Sequence, residues 1–306
     1  MNTSKIIYLS AILVCALPFI NTSLALLLGI LLAQTMTHPF PETSKKITHN
    51  LLQISVVGLG FGMNALQALE VGKRGLWVTV LSIVSTLSIG LFLGKRLKVE
   101  KNTSYLISTG TAICGGSAIA AIAPIVKPNE KQISTALGTV FALNAVALFL
   151  FPWIGHHFNL TQQQFGVWAA IAIHDTSSVV GAAAEYGAEA LQTATTIKLE
   201  RALWIIPVAI ISTFLFKSES KRIKIPYFIL LFVLAMILNT FIPGIQSISD
   251  DIVEISKVGL KITLFLIGSS LTRELIKSVG HKPLIQGILL WLFISVLSLC
   301  FILAVV

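Results

Sequence analysis

The sequence has 306 residues, of which 55% are hydrophobic and 11% are charged. Soluble domains carry about 25% charged residues, so this composition excludes an ordinary soluble fold and predicts an integral membrane protein. The net charge of +9 does not indicate a nucleic-acid partner, because most Lys and Arg residues lie in short loops between apolar segments. We therefore expect the protein to lie in the lipid bilayer and to bind no nucleic acid.

Apolar segments near the length that crosses ~30 Å of hydrocarbon recur along the whole chain. They predict an all-α integral membrane protein, a single polytopic domain over residues 1–306 with about 11 transmembrane helices. The first segment resembles a signal peptide, but the apolar run resumes at once, which favours a retained helix. In chain order the segments are 6–20, 23–36, 51–69, 76–93, 103–126, 132–151, 166–186, 193–216, 227–241, 258–272 and 283–304.

The positive charges predict the orientation of the chain. With a cytoplasmic N-terminus, 14 of the 22 Lys and Arg residues fall in cytoplasmic loops, and the opposite orientation reverses that ratio. We therefore predict a multi-pass protein of the cell inner (plasma) membrane, with the N-terminus in the cytoplasm and the C-terminus outside.

An odd number of helices is consistent with one leading helix followed by two inverted five-helix repeats, a common plan among transporters. The repeats would cover residues 23–151 and 166–304. In that division the fifth and tenth helices are equivalent, and each carries a small, polar interruption. The interrupting residues are Cys114, Gly115, Gly116 and Ser117 in the fifth helix and Gly268, Ser269 and Ser270 in the tenth.

The two adjacent glycines in the fifth helix have two interpretations. If the backbone unwinds there, the N–H groups of the following half-helix become free donors that bind an anion. If it stays helical, the small residues serve close helix packing. Spacing alone leaves both interpretations open.

Charged side chains inside the apolar segments are the sharpest functional signal. His174 and Asp175, followed by Thr176, fall near the middle of the seventh segment, where such groups are costly and usually functional. Lys198 and Arg201 are three residues apart in the eighth segment and face the same way. The alternatives are a structural His-Asp pair and cations that extend to the lipid headgroups.

Soluble-enzyme motifs are missing from the sequence, including Walker A, GxSxG, HExxH and a dinucleotide fingerprint. Their absence argues against an ATP-driven pump. The three cysteines lie in apolar segments without metal-site spacing. We expect no metal and no cofactor.

Two stretches resemble the YeiH-type family, whose members carry the name sulfate exporter. One is residues 110–121 with Pro124, Lys127 and Pro128, and the other is residues 172–180 with 198–201. The resemblance implies kinship with the cation/proton antiporter and bile-acid symporter superfamily. That fold has two inverted five-helix repeats with broken crossing helices and often forms homodimers, although no residue pattern here establishes a homodimer.

Together these features predict a secondary transporter, not an enzyme, that moves a small anion such as sulfate or a sulfonate by alternating access. His174 and Asp175 would handle a coupling proton or sodium ion. One rival is a sodium/proton antiporter with Asp175 as the ion carrier, and another is an intramembrane enzyme using His174 and Asp175. The predicted substrate-binding residues are Cys114, Gly115, Gly116, Ser117, Thr176, Lys198, Arg201, Gly268, Ser269 and Ser270.

The charge asymmetry generates a topology prediction. Reporter fusions after Val306 and within residues 217–224 should report opposite sides of the membrane, because the latter segment is rich in Lys and Arg. Finding both reporters on one side would remove the eleven-helix prediction and the inverted repeats with it.

Overall fold

The computed structural model describes residues 3–216, 227–272 and 279–305, without the side chains of residues 3, 45, 71–75 and 305. Every regular element within these ranges is helical, as the composition predicts. The helices are α1 Thr3–Cys15, α2 Thr22–Thr35, α3 Pro41–Leu59, α4 Ala65–Arg96, α5 Lys101–Ala112, α6 Gly116–Val126, α7 Glu130–His157, α8 Gln162–Ala172, α9 Thr176–Tyr186, α10 Ala188–Leu203, α11 Ile205–Leu215, α12 Tyr227–Phe241, α13 Gln246–Ser270 and α14 His281–Val305. Short 3₁₀ turns follow α3 and α12.

Three predicted spans are each divided into two half-helices. The fifth segment splits into α5 and α6, the seventh into α8 and α9, and the eighth into α10 and α11. The third segment is also interrupted, because α3 ends at Leu59 and a 3₁₀ turn carries the chain to Gly62. The break in the fifth segment confirms the unwound interpretation of its paired glycines.

Within the described ranges, three helices are long and apolar enough to cross a membrane on their own: Leu76–Arg96, Glu130–His157 and His281–Ala304. The number rises to four if α12 and α13, bent by 102° at their junction, form one span. The figure of about 11 spans therefore remains a prediction, which requires half-helix pairs and shorter helices to cross as well.

The chain divides into two compact units that alternate along the sequence. The first comprises residues 1–71 and 226–273, and the second comprises residues 72–225 and 274–306. Neither unit coincides with the predicted repeats 23–151 and 166–304, and the repeat division remains a prediction.

In the first unit α13 packs against α2 and α3 through small residues. Gly29 of α2 lies against the backbone of Phe265 and Ser269, and Gly259 of α13 lies against Ser55 of α3. Side chains larger than hydrogen have no room at these contacts, so the glycines allow the helices to approach closely.

The predicted interruption at Gly268, Ser269 and Ser270 is wrong. Helix α13 continues without a break to Ser270. Gly268 lies against the backbone of Leu26 and Ile30, so this glycine serves helix packing and not unwinding.

Hydrogen bonds around Tyr8 connect three parts of the first unit. The Tyr8 hydroxyl lies 2.9 Å from Nε2 of His38 and 2.9 Å from Oγ of Ser269. The Phe40 N–H donates to Nδ1 of His38 at 3.0 Å, so a neutral His38 carries its proton on Nε2. The chain of bonds ties α1 and the loop before α3 to the end of α13.

The second unit contains the remaining part of α4, helices α5–α11 and α14. Helix α14 is anchored by the buried side chain of Gln286, whose amide donates to the Gly90 carbonyl at 3.0 Å and to the Ser104 hydroxyl at 2.9 Å. Helix α8 lies between α10 and α14, and α5 packs on α7. This unit holds most of the charged residues singled out in the sequence.

The folding stability of the first unit should decrease at acidic pH because His38 becomes protonated. His38 lies in the loop between α2 and α3. Burial lowers the pKa of His38 below its ordinary value of 6.5, so the folded protein favours the neutral ring. Folding stability should therefore be constant above that value and fall as the pH drops below it. A protonated Nδ1 would also face the Phe40 N–H as a second donor.

The thermal midpoint in detergent at about pH 8 and about pH 5.5 measures this dependence on either side of the ordinary histidine pKa. His38→Gln should reduce the difference between the two midpoints, whereas His49→Gln, at an exposed position on α3, should leave it unchanged. Equal pH dependence in the wild type and in His38→Gln would contradict the assignment.

Candidate functional site

Two helix breaks lie against each other in the second unit. Between α5 and α6, Gly115 adopts a φ of 66°, which disfavours every residue except glycine. A β-carbon placed on Gly115 would lie 3.3 Å from the Cα of Asp175, which belongs to the break between α8 and α9. The two breaks therefore bring four half-helix ends into one buried region.

The C-terminal ends of α5 and α8 each receive a buried cation from α10. Arg201 donates from Nη2 to the Ala112 carbonyl at 2.5 Å and from Nη1 to the Ser82 hydroxyl at 3.1 Å. Lys198 donates from Nζ to the Ile173 carbonyl at 2.7 Å. The C-terminal end of a helix carries a partial negative charge and carbonyls without hydrogen-bond donors. These cations offset the charge and donate hydrogen bonds to the carbonyls.

The N-terminal end of α9 is capped by Asp175. Its carboxylate accepts the Ser177 N–H at 3.1 Å and also the Ser177 hydroxyl. An aspartate at this position satisfies a free backbone donor and complements the positive end of the helix. The N–H groups of His174 and Asp175 in turn donate to Oδ1 of Asn144 on α7, at 3.0 and 3.4 Å.

The N-terminal end of α6 differs from the other three. Its N-cap residue is Gly115, which has no side chain, and the preceding Cys114 thiol accepts the N–H of Ala118, the third residue of α6. Among the described residues, the N–H groups of Gly116 and Ser117 have no acceptor. Ser117 is exposed and Gly116 is half-buried, so this positive helix end is accessible.

Nine of the predicted residues belong to the second unit and three belong to the first. Gly268, Ser269 and Ser270 belong to the first unit, where Ser269 bonds to Tyr8 and Ser270 bonds to the Ile267 carbonyl. Thr176 is the buried first residue of α9. The residues that the second unit collects are Cys114, Gly115, Gly116, Ser117, His174, Asp175, Thr176, Lys198 and Arg201.

The sequence interpretation gave Lys198 and Arg201 the role of substrate ligands. Neither extends toward the headgroups, because both side chains are fully buried. In the structure their hydrogen bonds go mainly to backbone carbonyls, so the two side chains stabilise the helix breaks. Of the Arg201 nitrogens, only Nε has no partner within the described chain.

Sequence reasoning missed Asn144 and Ser82 as parts of this site. Asn144 is an amide in an apolar helix, a signal that identifies an interhelical hydrogen bond but not its partner. The buried ring nitrogens of His174 and the carboxylate oxygens of Glu200 have no hydrogen-bond partner in the described ranges. The described part of the chain contains no group of three or more His, Cys, Asp or Glu side chains that could hold a metal ion.

Packed half-helices with buried charges at their breaks define an all-helical protein of the membrane. The chain belongs to the family described as Conserved hypothetical protein 698, whose sequence profile matches residues 5–287. This is the YeiH-type family that the two sequence stretches resemble, so the resemblance is confirmed.

Three relatives illustrate the family, and each is named UPF0324 membrane protein. The chain is 55% identical over 286 residues to the one from Bacteroides thetaiotaomicron, which covers 93% of this chain and 87% of the relative. It is 50% identical over 304 residues to one from Vibrio parahaemolyticus, covering 98% of both chains. For one from Bdellovibrio bacteriovorus the identity is 48% over 304 residues, covering 96% and 94%. No solved structure matches the chain significantly.

If Lys198 caps the end of α8, replacing it should lower the stability of the protein even when no substrate is present. Lys198→Met should lower the free energy of unfolding in detergent by about 2 kcal/mol, because buried carbonyls at the end of α8 lose their donor. Lys261→Met is the matched control, since Lys261 donates to the Leu17 carbonyl from an exposed position. Its loss should cost under about 1 kcal/mol. Wild-type stability of Lys198→Met would rule out the capping role.

Proposed function

We propose that this protein is a secondary transporter that moves a small anion, such as sulfate or a sulfonate, by alternating access. The observation that carries the proposal is the open N-terminus of α6. Of the four half-helix ends at the two breaks, three are capped by Arg201, Lys198 and Asp175. At α6 the Cys114 thiol accepts the Ala118 N–H, but the Gly116 and Ser117 N–H groups have no acceptor among the described residues. Free N–H groups and the positive end of a helix form a natural anion site.

The formal charges around the breaks balance, so they do not by themselves favour an anion over a cation. Lys198 and Arg201 outnumber Asp175 at the breaks, but Glu200 interacts electrostatically with Arg201 and balances the formal count. Asp175 also directs its carboxylate to the N-terminus of α9, which leaves it less suited to carry a cation. The preference for an anion over a sodium ion or proton as substrate therefore rests on the free donors of α6.

Coupling to a proton or sodium ion is part of the proposal. His174 and Asp175 lie in the same break, and the His174 ring is buried without a hydrogen-bond partner in the described chain. A proton on this ring would place a third positive charge near Lys198 and Arg201, which a bound anion would offset. Anion and proton would then bind together, and the neutral ring would remain when both leave.

The proposed architecture retains about 11 spans, with one leading helix and two inverted five-helix repeats. Breaks in the middle of spans support it, because transporters use such half-helices to form binding sites inside the membrane. The two breaks that meet lie in the fifth and seventh predicted segments. In the proposed repeats the fifth segment is the fourth helix of the first repeat and the seventh segment is the first helix of the second, so the two breaks that meet are not equivalent positions.

A carboxylate placed at the open end of α6 tests the proposal. Ser117→Asp should supply the missing acceptor from within the chain, stabilise α6 by about 1 kcal/mol and block anion binding by competition and repulsion. Ser117→Asn has nearly the same shape without the charge and should keep transport within about threefold of wild type.

Uptake of labelled sulfate by proteoliposomes, with and without an imposed pH gradient, provides the measurement. We expect wild-type protein to take up sulfate, and Ser117→Asp to lose at least about 90% of that uptake while remaining folded. Wild-type uptake by Ser117→Asp would exclude the α6 site. If wild-type protein fails to transport or bind sulfate and small sulfonates, anion transport is wrong.

A further inference from the structure

Asn144 occupies a fixed orientation beside the two helix breaks. Its Oδ1 accepts the N–H groups of His174 and Asp175 at 3.0 and 3.4 Å. The opposite orientation would bring the NH₂ group against two N–H donors, so the hydrogen bonds determine which way the amide faces. The Nδ2 group therefore points away from these two backbone donors.

The Nδ2 group of Asn144 has no acceptor among the described residues. Asn144 is 2% exposed, and its Nδ2 atom is buried. Buried polar groups in native proteins are almost always hydrogen-bonded, and a buried donor without an acceptor is costly. A ligand that binds there would supply the missing acceptor.

The face of α7 that carries Asn144 packs against the start of α6. Leu137, Phe141 and Asn144 lie at helical spacing on one face of α7. A β-carbon on Gly116 would lie 2.9 Å from Cζ of Phe141 and 3.5 Å from Cδ2 of Leu137, so α6 begins against this face. Asn144 also bonds to Asp175, against which Gly115 packs.

We propose that Asn144 is a ligand-binding residue, which donates its free Nδ2–H to the anion held at the N-terminus of α6. This inference rests on the proposed function and refines the substrate class. Directional donors from Gly116, Ser117 and Asn144 approach from two helices, which suits an oxyanion with several acceptor oxygens. Asn144 thus has two tasks. Its Oδ1 accepts the backbone N–H groups at the break between α8 and α9, and its Nδ2 donates to the ligand.

Asn144→Asp separates these two tasks. The aspartate keeps the acceptor for His174 and Asp175 and keeps the shape of the side chain, but it replaces the free donor with a negative charge. We expect a folded protein whose sulfate affinity at neutral pH is at least about tenfold weaker, equivalent to the loss of a hydrogen bond to a charged group. The measurement is the rise in thermal midpoint with sulfate, relative to chloride at equal ionic strength.

Asn239→Asp is the matched control in the first unit. The Asn239 amide is partnered at both ends, since Oδ1 accepts the Ser249 hydroxyl at 2.5 Å and Nδ2 donates to the Met63 carbonyl at 3.4 Å. This variant adds the same charge and should keep the wild-type response to sulfate. If Asn144→Asp does not fold, Asn144→Ala provides a second measurement. It should have a lower midpoint and a sulfate response reduced by a similar factor.

The outcomes distinguish this inference from the proposed function. If wild type responds to sulfate and Ser117→Asp does not, anion binding at α6 stands. An undiminished response in Asn144→Asp or Asn144→Ala would then overturn the role of Asn144 alone. If wild type shows neither a sulfate response nor sulfate uptake, both the function and this inference fail.

Discussion

The structure of the second unit depends on one constraint, which is that a helix broken inside a membrane protein must find partners for its freed backbone groups. Water supplies those partners at the surface of a soluble protein, but hydrocarbon supplies none. Here Lys198, Arg201, Asp175 and Asn144 satisfy the freed carbonyls and N–H groups from within the chain. The packing of α7 and α10 against the breaks follows from this requirement.

The same constraint explains which features the sequence could predict. Charged side chains in apolar segments predicted a buried polar region correctly, because such residues are rare without a structural or functional cause. Paired glycines at Gly115 and Gly116 identified a place where the helix could break, and the break is present, although their spacing alone left close packing open as well. The glycine at Gly268 carried a similar signal but serves close packing, because a glycine reports the need for space or for flexibility without distinguishing them.

The partners of the buried cations could not be predicted from sequence. A lysine or arginine in a membrane helix attracts carbonyls, carboxylates and substrates alike, and only the folded contacts decide among them. The bonds from Lys198 and Arg201 connect residues far apart in the chain, which local patterns do not reveal. The length of single helices does not decide the number of spans either. With 12 and 11 residues, α5 and α6 are each too short to span ~30 Å of hydrocarbon alone.

The spacing of the two cations on α10 has a mechanical consequence. Residues three apart on a helix turn as one rigid piece, and here one bonds to the end of α8 and the other to the end of α5. Rotating α10 about its axis by one residue, about 100°, would pull both donors from their carbonyls together. The two breaks are therefore coupled through α10, because a displacement of the end of α5 or of α8 would move the side chain that bonds to the other.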